Sequence, residues 1–156
     1  MPLPCPLHDR HQRPLPRARV DRIDTFDVAL DVLAHAADCP LVPQTIVVGL
    51  DDRHRGRSIH VIAGTLHPDA LLDVLDHLLV ARRRRSPRND GEAVLAATVR
   101  PGGDVLRSDV DRWLEASRLT DEVGVELLEW FVVGRRLVCP RDLLGERPRW
   151  PRPLAS

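Results

Sequence analysis

The sequence predicts an α/β fold in which a mixed β-sheet is flanked by α-helices. Three observations carry that expectation. Segments with apolar residues three and four apart alternate with short continuous apolar runs, the mark of helices packed on a buried sheet. Gly, Pro and Asp clusters separate the segments. The last two apolar runs are joined by a short Gly-Arg turn, so the sheet should end in a hairpin. At 156 residues the chain fits one domain with room for a real core.

The elements follow in order. Ile23, Phe26, Leu30, Leu33 and Ala37 define an amphipathic helix that must end before Pro40. Thr45–Leu50 reads as a buried strand, Asp51–Gly56 as the polar turn after it, and Ser58–Ala63 as a second strand. Gly64-Thr65 closes that strand, and Pro68 suits the first turn of a helix whose buried face is Leu71, Leu72, Leu75, Leu78 and Leu79. Arg82–Arg85 and Arg88 are read as a loop ending at Gly91, followed by a short strand over Ala93–Ala97. Pro101-Gly102-Gly103-Asp104 is a turn. A third helix is expected from about Ser108 to Asp121, with Val110, Trp113, Leu114 and Ser117 inward. Val125–Val133 is a long strand, Gly134-Arg135 its turn and Leu137–Cys139 its return.

Charge divides the chain in three. Residues 1–19 and 147–156 are rich in Pro and Arg and are expected to be disordered or extended tails around a body at 20–146. Trp150 either anchors the second tail or is disordered with it. The body is acidic: residues 21–146 hold 16 Arg against 22 acids, a net of −6, while the whole chain is neutral. Overall charge therefore gives no footing for nucleic-acid binding. All basic residues are Arg, which we read as coding bias. Cys5, Cys39 and Cys139 are isolated, which argues against a disulfide framework or a zinc knuckle and favours a cytoplasmic setting. No apolar run reaches membrane-spanning length.

Four features in sequence order carry a family resemblance. They are Gly64-Thr65-Leu66-His67-Pro68, Thr98-Val99-Arg100-Pro101-Gly102-Gly103, the Ser-x-x-Asp of Ser108 and Asp111, and Gly124-Val125-Glu126-Leu127-Leu128-Glu129-Trp130 running into an apolar strand and Gly134. Together they resemble the JAB/MPN (JAMM) metallopeptidase-like domain, a cytidine-deaminase-like fold, in its bacterial RadC-like form. That family's signature is His-x-His, seven residues, Ser, two residues, Asp. Here the spacing, the Ser and the Asp are kept, and the two His positions hold Thr98 and Arg100. Arg82–Glu92 is an insertion relative to the pattern, and the helix-hairpin-helix region of full-length RadC proteins has no counterpart here.

In active members, the resemblance implies, two His and the Asp bind zinc, the Ser supports a zinc-bound water, and a Glu on an earlier strand is the general base. Carried over, the vestigial site is Ser58, near which that Glu is expected, with Thr98, Arg100, Ser108 and Asp111. Arg100 would stand as a permanent cation at the metal position and could pair with Asp111. Ser108 and Asp111 are also explained as helix N-cap and first-turn acid. If a metal binds at all, His60, His67 and Asp111 are the candidates. His60 is otherwise a half-buried strand residue, and His67 a helix-start residue. Arg82, Arg83, Arg84 and Arg85 are read as a solvated helix end, with anion binding the alternative.

The resulting expectation is a catalytically inactive, metal-free RadC/JAB-like domain acting as a protein-interaction or scaffold module, with a protein partner or a homodimer. The alternatives are an atypical metal-dependent hydrolase using zinc through substituted ligands, and a DNA-associated accessory protein. A role at the membrane is not expected.

Overall fold

A computed structural model describes residues 5–38, 40–85 and 91–150. The chain runs α1 (Phe26–Ala36), β1 (Gln44–Leu50), β2 (Gly56–Ala63), α2 (Ala70–Arg85), β3 (Glu92–Val99), α3 (Asp109–Asp121), β4 (Val125–Val133), β5 (Leu137–Val138) and α4 (Pro140–Leu144). One five-stranded sheet has the order β2-β1-β3-β4-β5. β1 is antiparallel to both β2 and β3, β3 and β4 are parallel, and β5 returns antiparallel on β4. Parallel neighbours need a long crossover, and α3 supplies it. The α/β architecture is the one the sequence predicts.

Helices cover both faces of the sheet. On one face Leu30 and Leu33 of α1 pack with Ile46, Val48, Leu95 and Phe131. On the other, Leu71 and Leu75 of α2 and Trp113 of α3 pack with Val47, Ala96, Leu127 and Trp130. β1 is buried along its whole length, and β3 and β4 nearly so. Strands buried on both faces favour apolar residues on either side, which is why these three read as mostly apolar runs, with Gln44, Thr45, Thr98 and Glu129 as buried exceptions. β2, at the edge, mixes exposed and half-buried positions. Among the described residues, no helix is long and apolar enough to cross a membrane.

The first helix starts later than its apolar spacing implies. Thr25 caps it by accepting from the Val28 N–H at 3.2 Å, and Ile23 stays outside it. Ile23 is nevertheless buried, with its N–H donating to the His54 carbonyl at 2.7 Å. Pro68 likewise lies two residues ahead of α2. Leu114, expected inward, is exposed, and Ala116 and Thr120 fill α3's buried face instead. The segment Arg82–Arg85 is not a loop: α2 continues through it, because Arg is a good helix former and cations suit a helix C-terminus.

The described parts of both tails are ordered, against expectation. Leu7 is only 1% exposed and belongs to the core under α1. A 3-10 turn over His8–Gln12 sits on α1, and Arg10 bonds the carboxylates of Asp27 and Asp31, each at 3.0 Å. At the other end α4, which the sequence reading missed, buries Arg141 against Glu129 at 2.9 Å. Arg149 lies over the Trp113 ring at 4.5 Å and donates to the Leu127 carbonyl and the Ser117 hydroxyl. The Trp113 Nε1–H donates to Glu146 at 2.8 Å. Trp150 packs against the core as an anchor. Composition misled here because each of these Arg side chains meets an acceptor supplied by the body. Cys39, Arg88 and residues 151–156 lie outside the described residues.

If the N-terminal segment is part of the core, Leu7→Ala should cost about 2–5 kcal/mol. Leu15→Ala, at a 46% exposed position in the same segment, should cost well under half of that. Urea denaturation of the two variants checks the difference.

Candidate functional site

The strand β3 ends in a turn that sets Arg100. The Arg100 N–H donates to the Val133 carbonyl at 2.8 Å, and Gly103 closes the turn on the Arg100 carbonyl at 2.9 Å. Gly134 must lack a side chain here, since a Cβ would come within 2.4 Å of the Gly103 carbonyl oxygen. This backbone packing aims the Arg100 side chain at the start of α3.

There it meets Asp109. The two terminal nitrogens of Arg100 donate to the two carboxylate oxygens at 2.6 and 2.9 Å, a bidentate fork. The Leu106 N–H donates to the same carboxylate at 2.7 Å, and Arg112 Nη1 at 3.1 Å. Arg112 then reaches Asp69, ahead of α2, at 2.8 Å, and the Ser108 hydroxyl at 2.5 Å. The result is a continuous chain Arg100–Asp109–Arg112–Asp69 tying β3, α3 and the start of α2. Asp109 has no exposed surface. Burial disfavours its charge, but the hydrogen bonds from Arg100 and the Leu106 N–H, with the Arg100 charge, outweigh that and hold its carboxyl below the usual range.

The arginine's partner is therefore Asp109 and not Asp111. Residues two apart on a helix point in different directions, and Asp111 is exposed. Ser108 does precede α3, but its side chain makes no capping bond and accepts from Arg112 instead. The acceptor that meets the Leu106 N–H at the helix start is Asp109.

Thr98 faces the α2/α3 side, where its hydroxyl accepts from the Trp130 indole at 2.9 Å. Its partner across β1 is Thr45, which hydrogen-bonds Thr65 at 2.9 Å. Ser58 is not in this row. It pairs with Gly49, and Gly49 with Val94, whereas Thr98 pairs with Thr45, and Thr45 with Ile62. Four residues of strand, about 13 Å, separate the two rows. The position on β2 that shares the row and face of Thr98 is Ile62, so the earlier-strand general base has no acid in its place. His60 is exposed on β2, two residues along the strand from that row. His67 accepts from the Asp69 N–H at 3.1 Å. His60, His67 and Asp111 are not brought together: among the described residues, no group of three His, Cys, Asp or Glu could hold a metal ion.

The residues at the signature positions do not fit zinc. The Thr98 oxygen is taken up by Trp130, Arg100 brings a fixed cation, and the nearest carboxylate already carries four N–H donors.

Arg82, the first of the run, is not a solvated cation. It ion-pairs with Glu92, which also takes Arg57 at 2.5 Å, and so ties the end of α2 to the start of β3. At Gly49 a Cβ would come within 2.5 Å of the Ser58 hydroxyl but only into ordinary contact, 3.9 Å, with the Arg82 guanidinium. Arg83 and Arg84 are exposed.

Compared with known proteins, the chain matches no family model and no curated sequence.

Sequence reasoning missed Asp109 and Arg112. Their spacing of three on a helix, just after a cationic turn, was the available signal.

Asp109 has a folded pKa below its unfolded value of about 3.9. Its contribution to stability is therefore complete above that value and disappears as pH falls toward the folded one. Asp109→Asn should be less stable at neutral pH by about 3–5 kcal/mol, because Arg100 is left half-buried and unpaired. The variant should then lose less further stability than the parent below about pH 4. Denaturant midpoints across pH 2–7 test both. Arg82→Ser should lower stability measurably, while Arg83→Ser and Arg84→Ser should stay within about 0.5 kcal/mol.

Proposed function

We propose that this chain is a JAB/MPN-like domain of RadC-like type whose metal centre has been replaced by an ion-pair lock, and that it works by protein contact rather than by catalysis. The observation that carries the reading is the Arg100–Asp109 fork. An arginine at a signature position inserts its guanidinium next to the first-turn carboxylate of the following helix. An organic cation there stands in for a metal ion, and both oxygens of the acid are occupied. The order helix, hairpin, helix, strand, helix, strand, hairpin supports the family assignment, as do the Gly64–Pro68 segment ahead of α2 and Gly134 after β4.

The hydrolase alternative draws no support from the side chains. The acid is missing from β2, and the substitute ligands His60, His67 and Asp111 stand apart. The DNA-associated alternative rests on the Arg run and the basic tails; Arg82 of the run ion-pairs with Glu92, and Arg10 and Arg149 of the tails bond groups of the body. An interaction role has surface to use. Leu66, between Thr65 and the Asp69 end of the chain of ion pairs, is 81% exposed, and Leu106 at its other end is 40% exposed.

Zinc measurements test the reading. Protein purified from zinc-supplemented medium should carry no stoichiometric metal. The double variant Thr98→His, Arg100→His should gain zinc affinity, because it removes the cation and adds two imidazoles beside a carboxylate. Adding Asp109→Asn should abolish that gain, whereas Asp111→Asn should leave it within about twofold, given the solvent-facing side chain. One zinc per chain in the parent protein would overturn the inactive reading. Zinc affinity in the double variant that depends on Asp111 would overturn the geometry.

A further inference from the structure

β2 is an edge of the sheet, and its hydrogen-bonding phase is fixed by its neighbours. The Gly64 N–H donates to the Pro43 carbonyl at 2.8 Å, so Gly64 addresses the β1 side. In an antiparallel ladder alternate residues turn both backbone groups the same way. Ile62, His60 and Ser58 therefore bond Thr45, Val47 and Gly49, while Ile59, Val61 and Ala63 turn their N–H and C=O to the open side. Gly56, beyond the bulge, shows the same phase. It lies opposite Leu50, turns its carbonyl outward, and accepts from the Arg19 N–H at 2.9 Å. The N-terminal segment thus closes the edge at Gly56. Among the described residues, no backbone group meets those of Ile59, Val61 or Ala63. The open stretch from Arg57 to Ala63 is about 20 Å long.

Open edges are ordinarily blunted by charges, by Pro or by a covering segment. Ser58–Ala63 reads Ser-Ile-His-Val-Ile-Ala, with no Pro, no Arg and no acid. Ile59 and Val61 are 53% and 44% exposed and project to the α1 face, since they pair with the core residues Val48 and Ile46. This stretch is a template for another strand.

Charge selects which strand. α2 lies over β1, with Leu71 and Leu75 against Val47. Its exposed acids Asp73 and Asp76 stand in its first half, and its exposed cations Arg83 and Arg84 at its end. Among the described residues none of these four is in an ion pair. Two copies joined antiparallel through β2 are related by a twofold axis perpendicular to the sheet, so each face continues into the same face. The two α2 helices then run antiparallel, about 14 Å apart if each stays over its own β1. The acidic half of each faces the basic end of the other, within reach of Arg side chains, and the helix dipoles oppose.

We propose that this chain pairs with a second copy of itself through β2, antiparallel about an axis at His60, so that two five-stranded sheets become one. Ile59 then lies opposite Val61 of the second copy, in a hydrogen-bonded pair on the α1 face, and Ala63 reaches the bulge at Arg57. The register uses the whole open stretch and stops where Arg19 holds Gly56. A one-residue slip would set Ile59 and Val61 opposite residues of the other face. The proposal deepens the protein-contact reading above and takes from it only that the chain works through contact.

Sedimentation equilibrium of the full chain from about 1 to 500 µM tests it, with amide exchange read at both ends of that range. A monomer–dimer equilibrium is expected. The Ile59, Val61 and Ala63 amides should slow as the dimer forms, while those of His60 and Ile62, already bonded to β1, should be slow throughout. Val61→Pro removes an outward N–H, which an edge strand tolerates, and Ile59→Lys sets a charge at the interface. Each should leave a folded monomer, as circular dichroism would verify. Arg83→Asp with Arg84→Asp, and Asp73→Arg with Asp76→Arg, should each weaken the dimer by about tenfold or more. An equimolar mixture of those two double variants should dimerise more tightly than either alone. A chain that stays monomeric over the whole range would overturn the proposal. So would a mixture of double variants that gains nothing, or a dimer that survives both Val61→Pro and Ile59→Lys; the latter would leave the contact reading standing on another surface. Stoichiometric zinc in a parent chain that dimerises through β2 would support the dimer and overturn only the inactive reading.

Discussion

A carboxylate with no exposed surface holds the crossover of this sheet in place. Asp109 sits at the first turn of α3, and α3 is what allows β3 and β4 to lie parallel. A buried charge is tolerated only when its hydrogen-bonding capacity is filled, and Asp109 is filled from three directions: the end of β3 through Arg100, its own helix through Arg112, and the preceding turn through the Leu106 N–H. Arg112 passes the connection to Asp69 and hence to the start of α2. Asp109 thereby ties the end of β3, through Arg100, to the start of α3.

The same physics recurs between β4 and α4. Arg141 is buried against Glu129, where burial pushes the Glu129 carboxyl upward despite the arginine beside it. Burial, with the Glu129 and Asp142 charges, also pushes the neighbouring Cys139 thiol well up, which disfavours its thiolate. Arg149 combines a ring contact, a backbone carbonyl, a hydroxyl and a carboxylate. In a protein with no lysine, guanidinium groups link elements at Arg10, Arg100, Arg112, Arg141 and Arg149, while Arg83 and Arg84 stay on the surface.

Much of the architecture was legible because burial on two faces leaves a plain trace. β1 and β3 appear in the sequence as mostly apolar runs, β4 as one interrupted by Glu126 and Glu129, and the buried leucines of α2 recur at helical spacing. The tails were not legible. Leu7 is one apolar residue among prolines and arginines, and nothing local says that α1 leaves space for it. Arg141 and Arg149 look solvated until acceptors 12 and 32 residues away in sequence are placed beside them.

The candidate site divides in the same way. Sequence by itself determined the chemistry: Thr98 and Arg100 at the end of a buried strand, and acids at the start of the next helix, because residue type and spacing are local properties. Tertiary structure decided which acid answers the arginine and which strand row lies beneath it. Helix phase turns Asp109 inward and Asp111 to solvent. Antiparallel register places Ile62 rather than Ser58 in the row of Thr98. A two-residue choice on a helix rotates a side chain by about 200°, and a four-residue shift on a strand moves it about 13 Å. Both are set by how elements pack against one another, which spacing along a single chain does not encode.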